Sequence, residues 1–246
     1  MDKQMTLWEH LEELRRVLVI SALAMAVTTG IAYGFFRQQL LDLVTGPLKG
    51  LEVKLVYIGL GEAFMTQIKL SLLAGFILAL PVILWELWSF VAPALRPGEK
   101  RIVLLIVFSS LILFGLGASF AYLTVFKFAA RFLLVIGGPE LAPMLSIGNY
   151  VSFLIAFLVP FGLAFEMPLA IYFLARWGVV SSDWLQRHNK VAVVAIFVIS
   201  AAITPGGDPI SQLCMAAPLL ILYEVSIVVA RLARPRSDNL VSTAKP

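Results

Sequence analysis

The sequence predicts an all-α integral membrane protein with six transmembrane helices and both termini in the cytoplasm. Three observations support this fold class: 60% of the 246 residues are hydrophobic, only 14% are charged, and the apolar residues are grouped in long blocks. A soluble domain of this size keeps roughly a quarter of its residues charged. Blocks of about 20 apolar residues are long enough for a helix to cross the hydrocarbon layer of a bilayer.

Six apolar blocks divide the chain, at residues 17–36, 63–91, 102–126, 150–175, 191–203 and 210–230. We therefore expect a cytoplasmic amphipathic N-terminal helix (1–16), a six-helix transmembrane domain (17–230) and a cytoplasmic polar tail (231–246). Acidic residues are mixed with basic ones before the first block, which is unlike a cleaved signal peptide. Most of the 19 Lys and Arg residues lie in the N-terminus, the second and fourth loops and the tail, and this bias places both termini inside.

The fifth block is the weakest of the six, because residues 191–204 would form only roughly 21 Å of helix against roughly 30 Å of hydrocarbon. Three interpretations compete. The block could be a re-entrant hairpin, a helix extended by snorkelling of Arg187 and Lys190, or a short span in a locally thinned bilayer. We favour a short true span.

The composition argues against several classes of function. Cys214 is the single cysteine, so no disulfide can form within one chain, and His10 and His188 have no metal-ligating Cys or His beside them. The sequence contains no plausible Ser/His or Cys/His pair, no Gly-rich phosphate loop and no clustered basic face. We therefore expect no catalytic site, no cofactor, no metal and no nucleic-acid binding.

Two segments on the predicted cytoplasmic side carry an acidic residue near the start of a predicted helix. Thr6 and Glu9 have the spacing of a capping box. The leucines that follow recur at helical spacing and predict an amphipathic helix at the membrane surface: Leu7, Leu11, Leu14 and Leu18. Glu99 follows the Pro97-Gly98 turn and falls in the first turn of the next helix, where the helix dipole favours an anion. Taken alone, these features have simpler interpretations, as a surface anchor and as a helix-capping acid.

Three acids fall inside the predicted spans: Glu86, Glu166 and Glu224. An acid at mid-membrane costs about 2.5–3.5 kcal/mol on insertion scales, so such residues usually face protein or water and mark function. Glu166 lies between Pro160 and Pro168, which remove backbone N–H groups and predict a broken, polar segment. The alternative is a structural acid that pairs with another span.

The sequence 204–209, T-P-G-G-D-P, predicts a tight turn on the outer side. Thr204, Asp208 and Gln212 place polar side chains around this turn. They could join neighbouring helices through hydrogen bonds, or they could receive the helix of a partner. The residues themselves leave both alternatives open.

Several segments, taken together, resemble the TatC family, the core subunits of the twin-arginine (Sec-independent) protein translocase. The sequence H-L-E-E-L-R at 10–15 is similar to that family's H-L-x-E-L-R motif. Further similar segments are P-V-I-L at 81–84, W-S-F-V-A-P-A-L at 88–95, E-K-R at 99–101, F-E-M-P at 165–168, and T-P at 204–205 with Asp208 and Gln212. The resemblance covers about residues 6–230, and its strength lies in the order of the segments, because each one is weak alone.

The resemblance implies a concave helical scaffold that is not an enzyme and whose cytoplasmic face captures signal peptides bearing paired arginines. It assigns Glu13 and Glu99 as the carboxylates that receive the two guanidinium groups, with Leu14 and Arg15 in the same site. This assignment is physically reasonable, because a guanidinium matches a carboxylate in two parallel hydrogen bonds, whereas an ammonium is a point charge.

The resemblance also implies partners, a compartment and structural residues. Five residues are expected to receive TatA-type and, where present, TatB-type single-span subunits: Glu166, Thr204, Asp208, Gln212 and Glu224. The matched structural residues are Pro47, Pro81, Phe90, Pro93, Tyr122 and Pro168. The expected setting is the cytoplasmic (inner) membrane of a bacterium or archaeon, with contacts to lipid and self-association in a receptor complex.

Three departures from the family pattern are visible, and one is that Leu60-Gly61-Glu62 lacks the proline often seen just before the second span. Glu86 stands where the family usually has Gln, and Lys127 stands where a proline is expected, which predicts a less sharply bent end of the third span. The alternative function is a proton- or ion-coupled transporter of a small solute that uses Glu166. An intramembrane hydrolase is disfavoured because no nucleophile and base lie at one membrane depth.

Overall fold

The computed structural model describes residues 7–46, 55–91, 100–136, 144–204 and 207–233. Its helices are α1 (Leu7–Phe35), α2 (Arg37–Thr45), α3 (Glu62–Val91), α4 (Lys100–Phe120), α5 (Lys127–Ile136), α6 (Ile147–Phe165), α7 (Met167–Arg176), α8 (Ser182–Arg187), α9 (Asn189–Ile203) and α10 (Pro209–Leu232). Two short strands are β1 (Leu55–Val56) and β2 (Leu145–Ser146), and a π-helical turn, Ala121–Phe126, joins α4 to α5. Pro47, Pro93 and Glu99 lie outside the described residues, as does Thr6 of the expected capping box.

Among the described residues, five helical segments are long and apolar enough to cross a membrane: Trp8–Phe35, Glu62–Phe90, Val103–Leu133, Ile147–Arg176 and Pro209–Leu232. The sixth predicted span is the shorter apolar helix α9. It is a single unbroken helix of 15 residues, so this block contains no internal hairpin. The predicted all-α membrane fold with six helical spans is therefore confirmed.

The chain forms two compact units, and the first comprises Met1–Ile112 with Pro143–Ser152. In it α1 packs along α3, and α2 also contacts α3. β1 pairs in parallel with β2, with Leu55 opposite Leu145 and Val56 opposite Ser146. The hydroxyl of Tyr150 donates to the carbonyl oxygen of Val44 at 2.9 Å, which ties the end of α2 to the start of α6.

The second unit comprises Leu113–Ala142 with Phe153–Pro246. Here α7, α8 and α9 all pack against α10. One buried cluster lies along α10 and includes Ile171, Leu185, Tyr223, Ile227 and Ala230. A second buried cluster joins the π-helical turn to α6 and α10, and it consists of Ala121, Val125, Ala129, Phe157, Phe161 and Met215. The apolar interior of this unit therefore centres on α10 and α6.

The prolines have different effects on the helices that contain them. Pro81 and Pro160 lie inside α3 and α6 without ending either helix. The fourth predicted span does break, but at Glu166, and Pro168 sits in the first turn of α7, where a missing N–H costs nothing. The predicted break between Pro160 and Pro168 is therefore confirmed, and it is confined to one residue.

Two regions differ from the pattern of six apolar blocks. Residues 37–62, which connect the first two apolar blocks, contain α2 and β1, because these residues pack on α3 and pair with β2. The third helical segment was expected to end at Phe126, but it continues through the π-helical turn to Ile136. Lys127 is the reason for the second difference, since it supplies the backbone N–H that a proline would lack.

Candidate functional site

The N-terminal end of α1 lies beside the C-terminal end of α3. The imidazole ring of His10 stacks on the ring of Phe90, with centroids 4.4 Å apart and an interplanar angle of 20°. Aromatic contacts of this kind are worth about 0.5–1.5 kcal/mol beyond area burial. This stack fixes the expected signal-peptide segment of α1 against the helix that leads into the first predicted cytoplasmic loop.

Glu13 lies one helical turn after His10 and is only half exposed, whereas the neighbouring Glu12 is exposed. The Oε2 atom of Glu13 is buried, and no donor among the described residues reaches it. An ionised carboxylate oxygen that is withdrawn from water without a donor raises the energy of the site until a cation or N–H group binds. Leu14 and Arg15, the other two residues expected here, are both exposed.

Glu99 lies between α3 and α4, outside the described residues. α3 ends at Val91 and α4 begins at Lys100. The indole Nε1 of Trp88 donates to the hydroxyl of Ser110 at 3.1 Å, which joins the last turn of α3 to the middle of α4. This bond links α3 to α4, while the position of Glu99 itself stays a prediction.

Glu166 is the single residue between α6 and α7. Its backbone N–H bonds to the carbonyl of Leu163 at 3.1 Å, and its own carbonyl accepts from the N–H of Ala170 at 2.9 Å. The side chain is half-buried, and the adjoining Phe165 packs against the cluster around Phe161 and Met215. The helix break thus places a carboxylate at the edge of an apolar core.

The polar residues of α10 bond to α9. The amide nitrogen of Gln212 donates to the carbonyl oxygen of Phe197 at 3.1 Å. The Nδ2 atom of Asn189 donates to Oε1 of Glu224 at 3.0 Å. These bonds support the interpretation that polar side chains join the two helices, and they hold Gln212 and Glu224 in fixed positions for any partner.

Thr204 and Asp208 flank the connection between α9 and α10, of which residues 205 and 206 lie outside the described residues. Thr204 is buried, ends α9, and donates its hydroxyl to the carbonyl of Ser200 at 2.6 Å. Asp208 caps α10, since its Oδ1 accepts from the backbone N–H of Ser211 at 2.7 Å. Both residues therefore have local structural roles in addition to the expected partner role.

The structure also shows a polar cluster that the sequence did not indicate. The carboxylate of Glu62, the first residue of α3, accepts from the backbone N–H groups of Ile58 and Gly59 at 2.6 and 3.2 Å. It also accepts from the N–H of Gly148 at 2.7 Å and from the hydroxyl of Ser146. Two of the four donors lie 84 and 86 residues further along the chain, so no local motif reveals the cluster.

The remaining expected residues occupy structural positions. Phe90 belongs to the stack with His10, Pro81 lies within α3, and Tyr122 lies in the π-helical turn. Glu86 is half-buried on α3, one turn before Phe90. Across the described ranges, no three His, Cys, Asp or Glu side chains lie close enough together to hold a metal ion.

Comparison with known proteins identifies similar chains along nearly the whole length. Residues 9–218 match the family described as Sec-independent protein translocase protein (TatC). The TatC protein of Carboxydothermus hydrogenoformans is 48% identical over 235 residues, which is 96% of each chain. That of Aquifex aeolicus is 43% identical and covers 96% of this chain and 99% of its own. A crystal structure titled as the twin arginine translocase receptor TatC superposes with a TM-score of 0.85 at 41% identity, covering 92% of this chain and 99% of that one.

Proposed function

This chain belongs to the TatC family of Sec-independent protein translocase proteins, and from that premise we propose that Glu13 and Glu99 receive the paired arginines of a signal peptide. As a TatC protein it is a component of a protein translocase that works with other Tat subunits, and it is not an enzyme. Its apolar helices and bacterial relatives support a multi-pass inner-membrane protein. Family membership removes the transporter and hydrolase alternatives.

The observation that carries the proposal is the state of the Glu13 carboxylate. Its Oε2 atom is buried and no described residue donates to it, and the His10–Phe90 stack holds it beside the end of α3. A guanidinium would supply the missing donors and the opposite charge together. Each charge-assisted hydrogen bond contributes about 1.5–3 kcal/mol, less where water screens it.

A binding measurement with two peptides tests the proposal. We would measure the affinity of detergent-purified protein for a signal peptide with Arg-Arg and for the same peptide with Lys-Lys. We expect a preference for Arg-Arg that falls by about tenfold, or about 1.4 kcal/mol, in Glu13→Gln and in Glu99→Gln. Glu12→Gln is the matched control, because Glu12 is adjacent in sequence but exposed. Equal binding of the two peptides, or an equal loss in Glu12→Gln, would contradict the assignment.

Leu14 and Arg15 complete the proposed site. Leu14 is an exposed apolar side chain next to Glu13, and it would contact the apolar region that follows the arginines of a signal peptide. Arg15 is an exposed cation two residues from Glu13, and its repulsion would keep the peptide's arginines away from its own side chain. Leu14→Ser should therefore lower the affinity for both the Arg-Arg and the Lys-Lys peptide, whereas Glu13→Gln should mainly remove the preference for Arg-Arg.

The second half of the proposal is that α6, α9 and α10 receive single-span TatA-type and, where present, TatB-type subunits through Glu166, Thr204, Asp208, Gln212 and Glu224. Polar side chains within apolar spans support this, because a membrane-embedded partner offers them a donor or acceptor that lipid does not. Glu166→Gln and Gln212→Leu should lower the amount of small subunit that co-purifies and leave peptide binding unchanged. Asp183→Asn, a substitution at an exposed position on α8, is the control and should change neither the co-purification of the small subunit nor peptide binding.

A further inference from the structure

The turn that leads into α3 displays large apolar side chains where a polar connector would be expected. Tyr57 is 62% exposed, Ile58 is 75% exposed and Leu60 is fully exposed. In the first turn of α3, Phe64 and Met65 are also exposed. The turn and the helix that follows it therefore share one continuous apolar surface.

The carboxylate of Glu62 satisfies the backbone of this turn from within. It binds the N–H groups of Ile58 and Gly59, and its other oxygen binds the N–H of Gly148 and the hydroxyl of Ser146. Peptide groups resist transfer out of water because their hydrogen bonds are lost. Here two amides of the apolar tip keep their acceptor wherever the turn lies, so these two amides lose no hydrogen bond when the tip enters the interface.

Lys69 gives a second indication of where the membrane boundary lies. Lys69 lies seven residues after the start of α3, and its ammonium donates to the hydroxyl of Ser152 on α6 at 2.8 Å. Side chains on a helix point towards its N-terminus, and a lysine near a helix end extends its charge to the interface. α3 has 30 residues, about ten more than a span requires. Its first two turns therefore lie at the boundary, on the side that the charge bias places outside.

We propose that residues 57–61 form a lipid-binding wedge that inserts into the bilayer interface at the start of α3. Lipid is the occupant that the observations favour, because the wedge is continuous with the apolar surface of a spanning helix. A tyrosine with an apolar body and a polar tip, such as Tyr57, is the residue type enriched at this depth. The wedge is separate from Glu13, so it does not depend on signal-peptide binding.

A nitroxide label at Leu60 tests the proposal in the full-length chain. The variant Cys214→Ala removes the single cysteine, and Leu60→Cys then provides one labelling site. In vesicles of phosphatidylethanolamine and phosphatidylglycerol, the collision rates of the label with oxygen and with a water-soluble nickel chelate report its depth. Two reference labels bracket the scale: Leu72→Cys on the exposed apolar face of α3, and Asp183→Cys on the exposed surface of α8.

We expect the ratio of oxygen to nickel collisions at Leu60 to exceed that at Asp183 several-fold and to approach that at Leu72. A ratio equal to that at Asp183 would place the turn in water and overturn the proposal. Low collision rates with both reagents would mean that protein covers the turn, and this result would also overturn it. The label at Leu72 reports, in the same background, whether the helix is inserted.

The variant Glu62→Gln tests whether the Glu62 carboxylate holds the wedge in place, or whether its apolar side chains alone account for insertion. An amide has one acceptor oxygen where the carboxylate has two, so at least one backbone N–H of the cluster loses its acceptor. We expect the oxygen-to-nickel ratio at Leu60 to fall towards that at Asp183, while the ratio at Leu72 is unchanged. An unchanged ratio at Leu60 would show that the carboxylate does not hold the wedge in place.

Discussion

The hydroxyl of Thr28 donates a hydrogen bond to the backbone carbonyl oxygen of Gly75, 2.7 Å away, where α1 crosses α3. The same hydroxyl oxygen lies 2.8 Å from the carbonyl oxygen of Ala24 in its own helix, so its single proton is shared between the two carbonyls. A side chain can reach the backbone of another helix only when the two helices approach closely, and small residues permit this approach in membranes. The crossing therefore depends on the missing side chain of Gly75.

Replacing Gly75 with alanine should separate the two helices. A Cβ at this position would lie 2.2 Å from Oγ1 of Thr29 and 2.6 Å from its Cα. Part of the contact is with backbone, so the strain cannot be relieved by rotating a side chain, and we expect a loss of about 1–3 kcal/mol in stability. Thermal unfolding in detergent would measure this loss. Gly30→Ala on α1 is the control, because a Cβ there meets nothing within 4 Å; equal losses in both variants would contradict the prediction.

A second glycine makes a similar contact within the other unit. A Cβ on Gly117 of α4 would lie 2.5 Å from the carbonyl oxygen of Phe161 on α6. Gly115, two residues earlier on the same helix, has no atom within 4 Å of such a Cβ. We expect Gly117→Ala to destabilise the protein by about 1–3 kcal/mol. Gly115→Ala should be neutral or slightly stabilising, since alanine favours helix by about 1 kcal/mol. Similar unfolding temperatures for the two variants would show that the helices do not approach as described.

The His10–Phe90 stack should act on signal-peptide binding through the position of Glu13. His10→Ala removes the stack, and with it about 0.5–1.5 kcal/mol of positioning energy, which corresponds to a Kd about 2–12-fold weaker. His10→Phe retains an aromatic ring and should restore most of the affinity. Peptide binding, measured beside thermal unfolding, distinguishes positioning from general destabilisation. An affinity that follows charge at residue 10 instead of aromaticity would contradict this account.

The bond between Asn189 and Glu224 should contribute modestly to the packing of α9 on α10. Interhelical polar contacts in membrane proteins couple by about 0.6 kcal/mol on average, with a maximum near 1.7 kcal/mol. A double-mutant cycle with Asn189→Ala, Glu224→Ala and the double variant should give a coupling energy in this range. A coupling energy of zero would mean that Glu224 is free to serve a partner without cost to the fold.

Asp208 should stabilise α10 as its N-cap. Asp208→Ala removes the acceptor for the N–H of Ser211, and loss of an N-cap costs about 0.5–2 kcal/mol. Asp208→Asn keeps an acceptor oxygen and should lose little. If both variants lose small-subunit binding while only alanine loses stability, the negative charge has a second role in partner recognition. Co-purification and thermal unfolding would be measured on the same preparations.

The apolar pattern predicted the spans because burial in lipid acts on every residue of a segment. The apolar pattern predicted the start of α9 to within two residues. The break between α6 and α7 was predicted separately, from two prolines and an acid in the fourth block. The pattern could not predict α2 or β1. α2 depends on packing against α3, and β1 depends on pairing with residues near 145, and both contacts are formed by residues distant in sequence.

For the candidate site, the sequence predicted individual residues but not the contacts between them. Glu13 and Glu99 follow from the family resemblance, and the structure adds for Glu13 a burial that composition does not reveal. The contact between His10 and Phe90 joins residues 80 positions apart, each inside a segment that resembles the family, but neither segment indicates that the rings touch. The role of Glu62 is not predictable from the sequence, because its distant donors, Ser146 and Gly148, belong to no recognisable motif.

The distance along the chain between Glu62 and its donors also has a consequence for biosynthesis. Ser146 is 84 residues from Glu62, so a ribosome working at about 5–20 residues per second delivers it roughly 4–17 s later. During that interval the newly made carboxylate has only Ile58 and Gly59 as donors. The turn before α3 is therefore completed only after the chain has been synthesised as far as the start of α6, and a nascent chain arrested before residue 146 would carry it half-assembled.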